Sequence, residues 1–252
     1  MADLTLVDVS YRINSSLIVG NISLSVSRGD WLCIAGCNGS GKSTLLKLMA
    51  GLIVPSGGVI QFEGCSYKKL PNKNQKFAVL SQRSSVSADL TVQDLVQLGR
   101  YPYLPNWDVR LSSEDKDQVD YALDFVGLND FRQRSLYTLS GGERQRAFLA
   151  LALAQNGSIL FLDEPTNHLD IVAQNQILNL LERMVASGKI VVSVFHDLNH
   201  IAKYSSHLAL MRDGQLLQCG PTEQVFCSGF LTEAFGLDIQ VVDYEGKRFA
   251  SY

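Results

Sequence analysis

The sequence predicts an α/β fold with an antiparallel edge sheet and an inserted α-helical subdomain. Two stretches of alternating apolar residues, LTLVDVSYRI and NISLSVSRGD, open the chain and are typical of half-exposed antiparallel strands. From WLCIAG onward, continuous apolar stretches such as FAVLSQ, SILFLDEP and KIVVSVFHD alternate with helical patterns, which indicates parallel strands buried on both faces. Between residues 84 and 155 the strand patterns stop and helical spacing replaces them.

These patterns predict one domain over residues 1–252, with an α/β core formed by residues 1–83 and 156–252 and a helical subdomain formed by residues 84–155. Within the subdomain, TVQDLVQLGR and SEDKDQVDYALDFVGL have helical spacing. After His196 we expect a helix through LNHIAKYSSH and a hairpin LALMRDGQLLQCG that turns at Asp213-Gly214. A last amphipathic helix is expected near TEQVFCSGFLTEAFG.

Composition excludes several classes of protein. The chain has 22 basic and 25 acidic residues without a block of like charge, so the electrostatic footprint of a nucleic-acid-binding protein is missing. Its longest apolar candidate span, Ala147 to Ala154, is far shorter than the roughly 18 residues that a membrane helix needs. The start MADLTLVDV does not resemble a secretion signal, and the five cysteines form no CxxC pair. We therefore expect a cytosolic globular protein with reduced thiols.

The stretch GCNGSGKST, Gly36 to Thr44, matches the phosphate-loop pattern G-x-x-x-x-G-K-[ST] between a predicted strand and a predicted helix. Its glycines allow successive backbone N–H groups to face a phosphate at a helix N-terminus. Lys42 then reaches the β- and γ-phosphates, and Ser43 coordinates Mg²⁺. The pattern predicts a nucleoside triphosphate site. The alternative is a glycine-rich turn that only caps a helix.

Polar residues end three other buried strands. In ILFLDEP, Asp163 is expected to act on Mg²⁺, directly or through water, and Glu164 to polarise the water that attacks the γ-phosphate. The alternative is a helix-capping Asp-Glu turn before Pro165. In FHD, His196 should lie on the same sheet edge and could sense the γ-phosphate, although a lone histidine is more often structural. Gln82, after FAVLS, is a neutral candidate ligand for Mg²⁺ or for the attacking water.

A second phosphate-type motif stands at LSGGERQRAFLALALAQ, Leu139 to Gln155. It places Ser140 and two glycines at the start of an apolar helix, an arrangement that suits an anion. The alternative, a glycine-rich N-cap of a packed helix, explains Ser140 but leaves the two glycines and Gln145 without an explanation.

Taken in order, the phosphate loop, Gln82, LSGG-Q, LDEP, NHLD and His196 resemble the nucleotide-binding subunit of an ABC transporter across nearly the whole chain. The resemblance implies a P-loop ATPase core that uses ATP and Mg²⁺. It implies Glu164, His196 and Gln82 as catalytic residues and Ser43, Gln82 and Asp163 at the metal. It also implies a nucleotide-binding set, with Tyr11 stacked on the adenine: Tyr11, Gly36, Asn38, Gly39, Ser40, Gly41, Lys42, Ser43, Thr44, Ser140, Gly141, Gly142, Gln145 and Asp170.

The same resemblance explains the second motif. Members of this family pair head to tail, so the LSGG of one subunit meets the ATP held by the phosphate loop of the other, and Asp170 would signal across that interface. It further implies a homodimer, two membrane-spanning permease subunits, and a periplasmic or lipid-anchored substrate-binding protein, with no nucleic acid. The ATPase would be peripheral, on the cytoplasmic face of the inner membrane.

A finer resemblance concerns LTVQDLVQLGRYPYLPNW, Leu90 to Trp107, and HDLNHIAKYSSHLALMRDGQL, which are similar to importers of iron chelates, haem and vitamin B12. Importers of zinc, manganese or molybdate and a soluble ABC ATPase outside transport are the alternatives. Tyr101, Tyr103 and Trp107 are expected either to anchor a short helix of the membrane subunit or to pack within the subdomain. Cys37 departs from the family, which usually has proline there.

Overall fold

The computed structural model describes residues 3–81, 89–105 and 110–252, and it divides into two compact units. Unit 1 comprises the chain up to Pro71, then Leu162–Glu164 and Met184–Tyr252. Unit 2 comprises the described residues of Asn72–Phe161 and Pro165–Arg183.

The strands lie in the following order along the chain: β1 (Leu4–Ile13), β2 (Ser16–Val26), β3 (Trp31–Gly36), β4 (Gly57–Phe62), β5 (Cys65–Ser66), β6 (Phe77–Leu80), β7 (Ile159–Asp163), β8 (Ile190–Val194), β9 (His207–Arg212), β10 (Gln215–Pro221), β11 (Gln240–Tyr244) and β12 (Lys247–Ser251). The α-helices are α1 (Lys42–Met49), α2 (Lys73–Lys76), α3 (Val92–Gln97), α4 (Ser113–Phe125), α5 (Gly141–Ala154), α6 (Ile171–Ala186), α7 (Leu198–Tyr204), α8 (Thr222–Val225) and α9 (Ser228–Phe235). The mixed α/β fold that the sequence predicts is confirmed.

The antiparallel edge sheet of unit 1 has the strand order β2-β1-β4-β5. Strand β1 pairs with β2 so that Leu4 lies opposite Val26 and Leu6 opposite Leu24, and all four side chains are buried. Because side chains alternate between the two faces of a strand, the intervening polar residues point outward. The predicted pair of half-exposed strands is therefore present.

The second sheet of unit 1 has the order β10-β9-β3-β8, followed by the end of β7. Strand β3 is parallel to both β8 and β9, and all six of its residues are buried. Since parallel strands share one carboxyl edge, the residues that follow β3, β7 and β8 meet at this edge. The edge therefore brings together the phosphate loop, Glu164 and His196.

The hairpin of β9 and β10 turns where the sequence predicts it. Asp213 and Gly214 both have left-handed backbone, with φ of 50° and 79°, as a tight two-residue turn requires. A side chain on Gly214 would also approach the carbonyl oxygen of Ile18 to 2.7 Å, so this turn packs directly against β2.

The carboxyl-terminal part differs from the prediction. The single helix expected near TEQVFCSGFLTEAFG is wrong, because Cys227 adopts extended backbone and separates α8 from α9. A further hairpin, β11 and β12, follows and has no counterpart in the sequence prediction. Ala250 of β12 is buried, and its N–H donates to the side-chain oxygen of Asn199 on α7.

Unit 2 is built around α5, whose central residues Ala147–Ala150 are buried. Helices α3, α4 and α5 each begin at a capping box, in which Thr91, Ser112 and Ser140 form the N-caps. The predicted helix in TVQDLVQLGR ends at Gln97, and the chain continues as a 3₁₀-helix, Leu98–Tyr103, that contains Pro102.

Among the helices in the described part of the chain, none is long and apolar enough to span a membrane.

Candidate nucleotide-binding site

The phosphate loop connects β3 to α1 in unit 1. Gly36, Gly39 and Gly41 have positive φ, which L side chains rarely adopt. A Cβ on Gly36 would lie 2.0 Å from the carbonyl oxygen of Met211, and one on Gly41 would lie 2.8 Å from that of Ile18. Glycine is therefore required at both positions by the close approach of neighbouring backbone. Gly41 forms the N-cap of α1 without a side-chain hydrogen bond, so no N-cap side chain satisfies the first N–H groups of this helix.

Lys42, the first residue of α1, is 6% exposed. Its Nζ donates to the carbonyl oxygens of Gly36 at 2.9 Å and Cys37 at 2.7 Å. Burial lowers the pKa of Lys42, and the charge of the nearby Glu164 acts in the opposite direction. The ammonium group is thus held within the loop, in a site whose desolvation strengthens its interaction with a phosphate.

Ser40 provides a direct test of whether the loop fits a phosphate. Its Oγ is buried, the residue is only 3% exposed, and the hydroxyl has no hydrogen-bond partner among the residues that the structure describes. Since buried hydroxyls in folded proteins nearly always have a partner, this unpaired group fits an oxygen-rich ligand bound in the loop.

Asp163 and Ser43 form the candidate metal-binding pair. The Ser43 hydroxyl donates to Oδ1 of Asp163 at 3.0 Å. Burial raises the pKa of Asp163, and the hydrogen bond from Ser43 opposes this shift. A hydroxyl and a carboxylate at this distance are the oxygen ligands that Mg²⁺ prefers, so the residues fit the ion that the sequence predicts.

Glu164 directly follows β7 and has left-handed backbone, with φ of 54°. Its N–H donates to the carbonyl oxygen of Val194 at 3.1 Å, which ties this residue to the end of β8. Its carboxylate contacts Nε2 of His196, so the sheet edge brings these two residues together. A non-glycine residue with left-handed backbone is strained, and such strain is typical of functional sites.

The other candidate residues of unit 1 lie in β1 and in or beside the phosphate loop. Tyr11 is half-buried in β1, and Asn38 and Thr44 flank the loop glycines and Lys42. The thiol of Cys37 donates to the carbonyl oxygen of Phe235 at 3.0 Å, which links the phosphate loop to the end of α9. Gln82 lies outside the described residues.

The second phosphate-type motif lies in unit 2 at the start of α5. The Ser140 N–H donates to Glu143 at 2.8 Å, and the Glu143 N–H donates to the Ser140 hydroxyl oxygen at 3.3 Å. Hydrogen bonds from the Ser140 N–H and from the Ser140 side chain to the Glu143 carboxylate lower the pKa of Glu143. The capping box therefore fixes the side chains of Ser140 and Glu143 at the start of α5.

A cavity of about 270 Å³ opens beside this motif. Asp170 is one of the residues that line it. Its Oδ1 accepts a hydrogen bond from the Ala173 N–H in the first turn of α6 at 2.8 Å. The cavity is lined by residues of α5, α6 and the NHLD stretch: Ser140, Gly141, Gly142, Glu143, Arg146, His168, Leu169, Asp170, Val172, Ala173 and Gln176.

Close packing against neighbouring residues requires one of the two glycines of this motif. A Cβ on Gly142 would lie 2.7 Å from Cβ of Ala173, so close packing of α5 against α6 already requires glycine there. A Cβ on Gly141 would lie 3.4 Å from Leu169, which is ordinary contact, so packing does not require this second glycine. Packing therefore accounts for Gly142 but not for Gly141, and the joint occurrence of both glycines and Gln145 stays a prediction of function. Gln145 is half-buried on the same helix.

Arg146 and His168 are among the lining residues of the cavity that were not named as site residues from the sequence. Arg146 lies one helical turn after Gly142, and its Nε is buried without a hydrogen-bond partner in the described part of the chain. His168, within NHLD, has left-handed backbone with φ of 61°. The i, i+4 spacing from Gly142 could have identified Arg146 as a residue on the same helix face.

Comparison with known proteins agrees with this geometry. The family model described as "ABC transporter" matches residues 19–167. The chain is 37% identical over 244 residues to the petrobactin import ATP-binding protein FpuC of Bacillus anthracis, covering 96% of this chain and 89% of the relative. It is 34% identical over 229 residues to the iron(3+)-hydroxamate import ATP-binding protein FhuC of Bacillus subtilis, covering 90% of this chain and 85% of the relative.

Among solved structures, an inward-facing conformation of a putative metal-chelate type ABC transporter superposes with a TM-score of 0.86 at 27% identity. That likeness covers 99% of this chain and 96% of the other. The chain belongs to the ABC transporter family and is an ATP-binding, ATP-hydrolysing subunit of such a transporter. The assignment made from the sequence to this family and to ATPase activity is therefore confirmed.

Proposed function

We propose that this ATPase works with Mg²⁺ as a homodimer and powers import of an iron chelate, haem or cobalamin. In this proposal it is peripheral on the cytoplasmic face of the inner membrane, under two membrane-spanning permease subunits. A periplasmic or lipid-anchored binding protein delivers the substrate. We also retain residues 1–83 and 156–252 as the catalytic core and residues 84–155 as the helical subdomain.

The observation that carries the catalytic part is the clustering at one sheet edge of unit 1. The N–H groups of the phosphate loop and the Lys42 ammonium bind the phosphates. Ser43 and Asp163 would hold Mg²⁺, which would supply positive charge against the phosphates of the nucleotide. The Glu164 carboxylate accepts a proton from the attacking water, and its contact with His196 holds it in place.

The homodimer follows from the second motif. Each chain has one phosphate loop, in unit 1, and one anion-type helix start at Ser140, in unit 2. Head-to-tail pairing of two copies gives each ATP a phosphate loop from one chain and Ser140 and Gly141 from the other. The exposed position of Gly141 at the start of α5 and the cavity beside it support this use.

The substrate class rests on two observations. The relatives named above import petrobactin and iron(3+)-hydroxamate, and the structural neighbour is of metal-chelate type. The segment from Leu90 to Trp107 also has the LGRYP stretch of that group. These observations favour an iron chelate over zinc, manganese or molybdate, and over a role outside transport.

The contact with the membrane subunit is proposed at the same segment. Tyr101 is 59% exposed and can serve as an anchor. The Tyr103 hydroxyl instead lies 2.8 Å from the carbonyl oxygen of Gln155, so this side chain packs within unit 2, the second of the two roles expected for it. Trp107 lies outside the described residues.

Deletion of the gene tests the substrate class. We expect poor growth when iron is supplied only as a chelate or as haem and normal growth on abundant free iron, because other routes then supply the metal. Uptake of labelled iron chelate, haem and cobalamin identifies the substrate.

Complementation provides the matched control for the deletion. A plasmid with the wild-type gene should restore uptake, and one with Glu164→Gln should not. Unchanged uptake of all three compounds in the deletion strain would remove the substrate assignment while leaving the ATPase assignment in place.

A further inference from the structure

The 3₁₀-helix Leu98–Tyr103 has one outward face and one inward face. Residues i and i+3 of a 3₁₀-helix lie on the same side, and here Leu98 and Tyr101 are both exposed. Gly99 and Arg100 are both buried, and Arg100 is only 4% exposed. The inward face therefore makes the contacts that hold this segment in unit 2.

Gly99 brings the segment against the end of α5. A Cβ on Gly99 would lie 2.4 Å from the carbonyl oxygen of Leu151 and 3.0 Å from the Gln155 nitrogen. The distance to Leu151 is too short for any side chain, so the backbone of the segment lies against the backbone of the last turn of α5.

Arg100 connects the same turn of α5 to α4 through hydrogen bonds. Its Nη1 donates to the carbonyl oxygen of Ala154 at 2.7 Å, and its Nε donates to Oδ1 of Asp115 at 2.9 Å. The guanidinium also lies 3.9 Å from the centre of the Tyr103 ring. Arginine is suited to this position because its planar fork reaches two acceptors and an aromatic face at once.

Asp115 is bound on both of its oxygens. Oδ1 accepts from Arg100, while Oδ2 accepts from the Ser112 N–H at 3.0 Å and from its hydroxyl at 2.7 Å. Burial works to raise the pKa of Asp115, but the hydrogen bonds from Ser112 and Arg100 outweigh it and lower the pKa. Asp115 is therefore held as a carboxylate that pairs with Arg100.

Tyr103 and Gln155 complete the attachment. The Tyr103 hydroxyl lies 2.8 Å from the carbonyl oxygen of Gln155 and 3.2 Å from that of Gln75. The Gln155 side chain in turn donates to the carbonyl oxygen of Phe77 at 2.7 Å. We call Gly99, Arg100, Tyr103, Asp115 and Gln155 the clasp.

We propose that the clasp is a positioning device that couples the membrane subunit to the motif at the start of α5. The inference rests on the proposed function, which places the membrane subunit at the segment that contains Tyr101. The clasp holds one end of α5, and Ser140 and Gly141 stand at the other end. A helix of 14 residues is a rigid rod of about 21 Å, so a displacement of the segment moves Ser140 relative to the ATP.

Arg100 is the positioning residue in this account, since it joins the segment to both α4 and α5 through buried hydrogen bonds. When the hydrogen bonds of the clasp are removed, a displacement of the segment no longer displaces α5. Hydrolysis without transport then continues, because no residue of the clasp belongs to the nucleotide site.

The test uses the complex of ATPase, permease and binding protein in proteoliposomes, with a labelled ferric hydroxamate as the probe. The main variant is Arg100→Met combined with Asp115→Asn, which avoids leaving a buried carboxylate unpaired and keeps an acceptor for Ser112. The second is Tyr103→Phe, which removes one hydroxyl. Arg132→Met is the matched control, because Arg132 pairs with Asp120 on the exposed surface of the same unit.

We expect the double variant to lower transport per ATP hydrolysed about tenfold, with basal ATPase within about twofold of wild type. Tyr103→Phe should lower transport per ATP hydrolysed by less than the double variant does. Arg100→Lys should also lower this ratio by less than the double variant, because it keeps the positive charge. Arg132→Met should leave the ratio unchanged. Thermal unfolding of each variant identifies those that fold.

Three results decide the matter. An unchanged ratio in both the double variant and Tyr103→Phe overturns the inference alone. An equal loss of transport and basal ATPase in folded variants also overturns it, since it assigns the clasp to structural support. A permease-bound wild type that hydrolyses ATP but transports none of the three proposed substrates contradicts the proposed function and the inference with it.

Discussion

Glu164→Gln is expected to slow ATP hydrolysis at least about 100-fold while ATP binding stays close to that of wild type. The amide keeps the shape of the side chain but cannot accept a proton from water, and the phosphate loop that binds ATP is unaltered. The neighbouring His196 contact remains possible because the amide offers both a donor and an acceptor. Phosphate release and a fluorescent-nucleotide titration measure the two quantities.

The same variant should accumulate as an ATP-bound dimer, visible as earlier elution on gel filtration. Glu182→Gln is the matched control, because Glu182 is an exposed glutamate on α6 and its replacement should change neither rate nor elution. Hydrolysis by Glu164→Gln within about threefold of wild type would contradict the assignment of the general base.

Lys42→Met is expected to weaken ATP binding about 100-fold and to abolish measurable hydrolysis at ordinary ATP concentrations. The variant removes a buried cation from a loop that binds phosphates, and hydrogen bonds to charged groups contribute about 1.5–3 kcal/mol each. The fold should survive, because burial already disfavours the charged amine and methionine fills a similar space.

Lys47→Met is the control for this prediction, since Lys47 lies on the same helix but is exposed. Binding is measured by titration and stability by thermal unfolding. ATP affinity for Lys42→Met equal to that for Lys47→Met would show that the ammonium does not contact the nucleotide.

Much of the fold could be predicted because its elements have strong local signals. Alternating residues identify β1 and β2, the DG turn identifies the β9–β10 hairpin, and the serine of the LSGG stretch marks the start of α5. The edge that brings Glu164 to His196 also follows from the sequence, because both residues end buried parallel strands.

Other features depend on contacts between distant parts of the chain, which a sequence pattern does not contain. The requirement for glycine at position 142 comes from Ala173, and Arg100 is buried because Asp115 and Ala154 satisfy it. The β11–β12 hairpin has weak alternation and is held by its contact with Asn199. In each case tertiary packing decides the outcome.

The central claim is that one ATP is bound by the phosphate loop of one copy and by Ser140 and Gly141 of another. Mixing two inactive variants tests it directly: Lys42→Met damages every phosphate loop in its own dimer, and Ser140→Arg damages every α5 start in its own. A mixed head-to-tail dimer has one intact site, so ATPase activity should reappear and approach about a quarter of wild type at equal concentrations. Activity in the mixture no higher than that of either variant alone would contradict the claim.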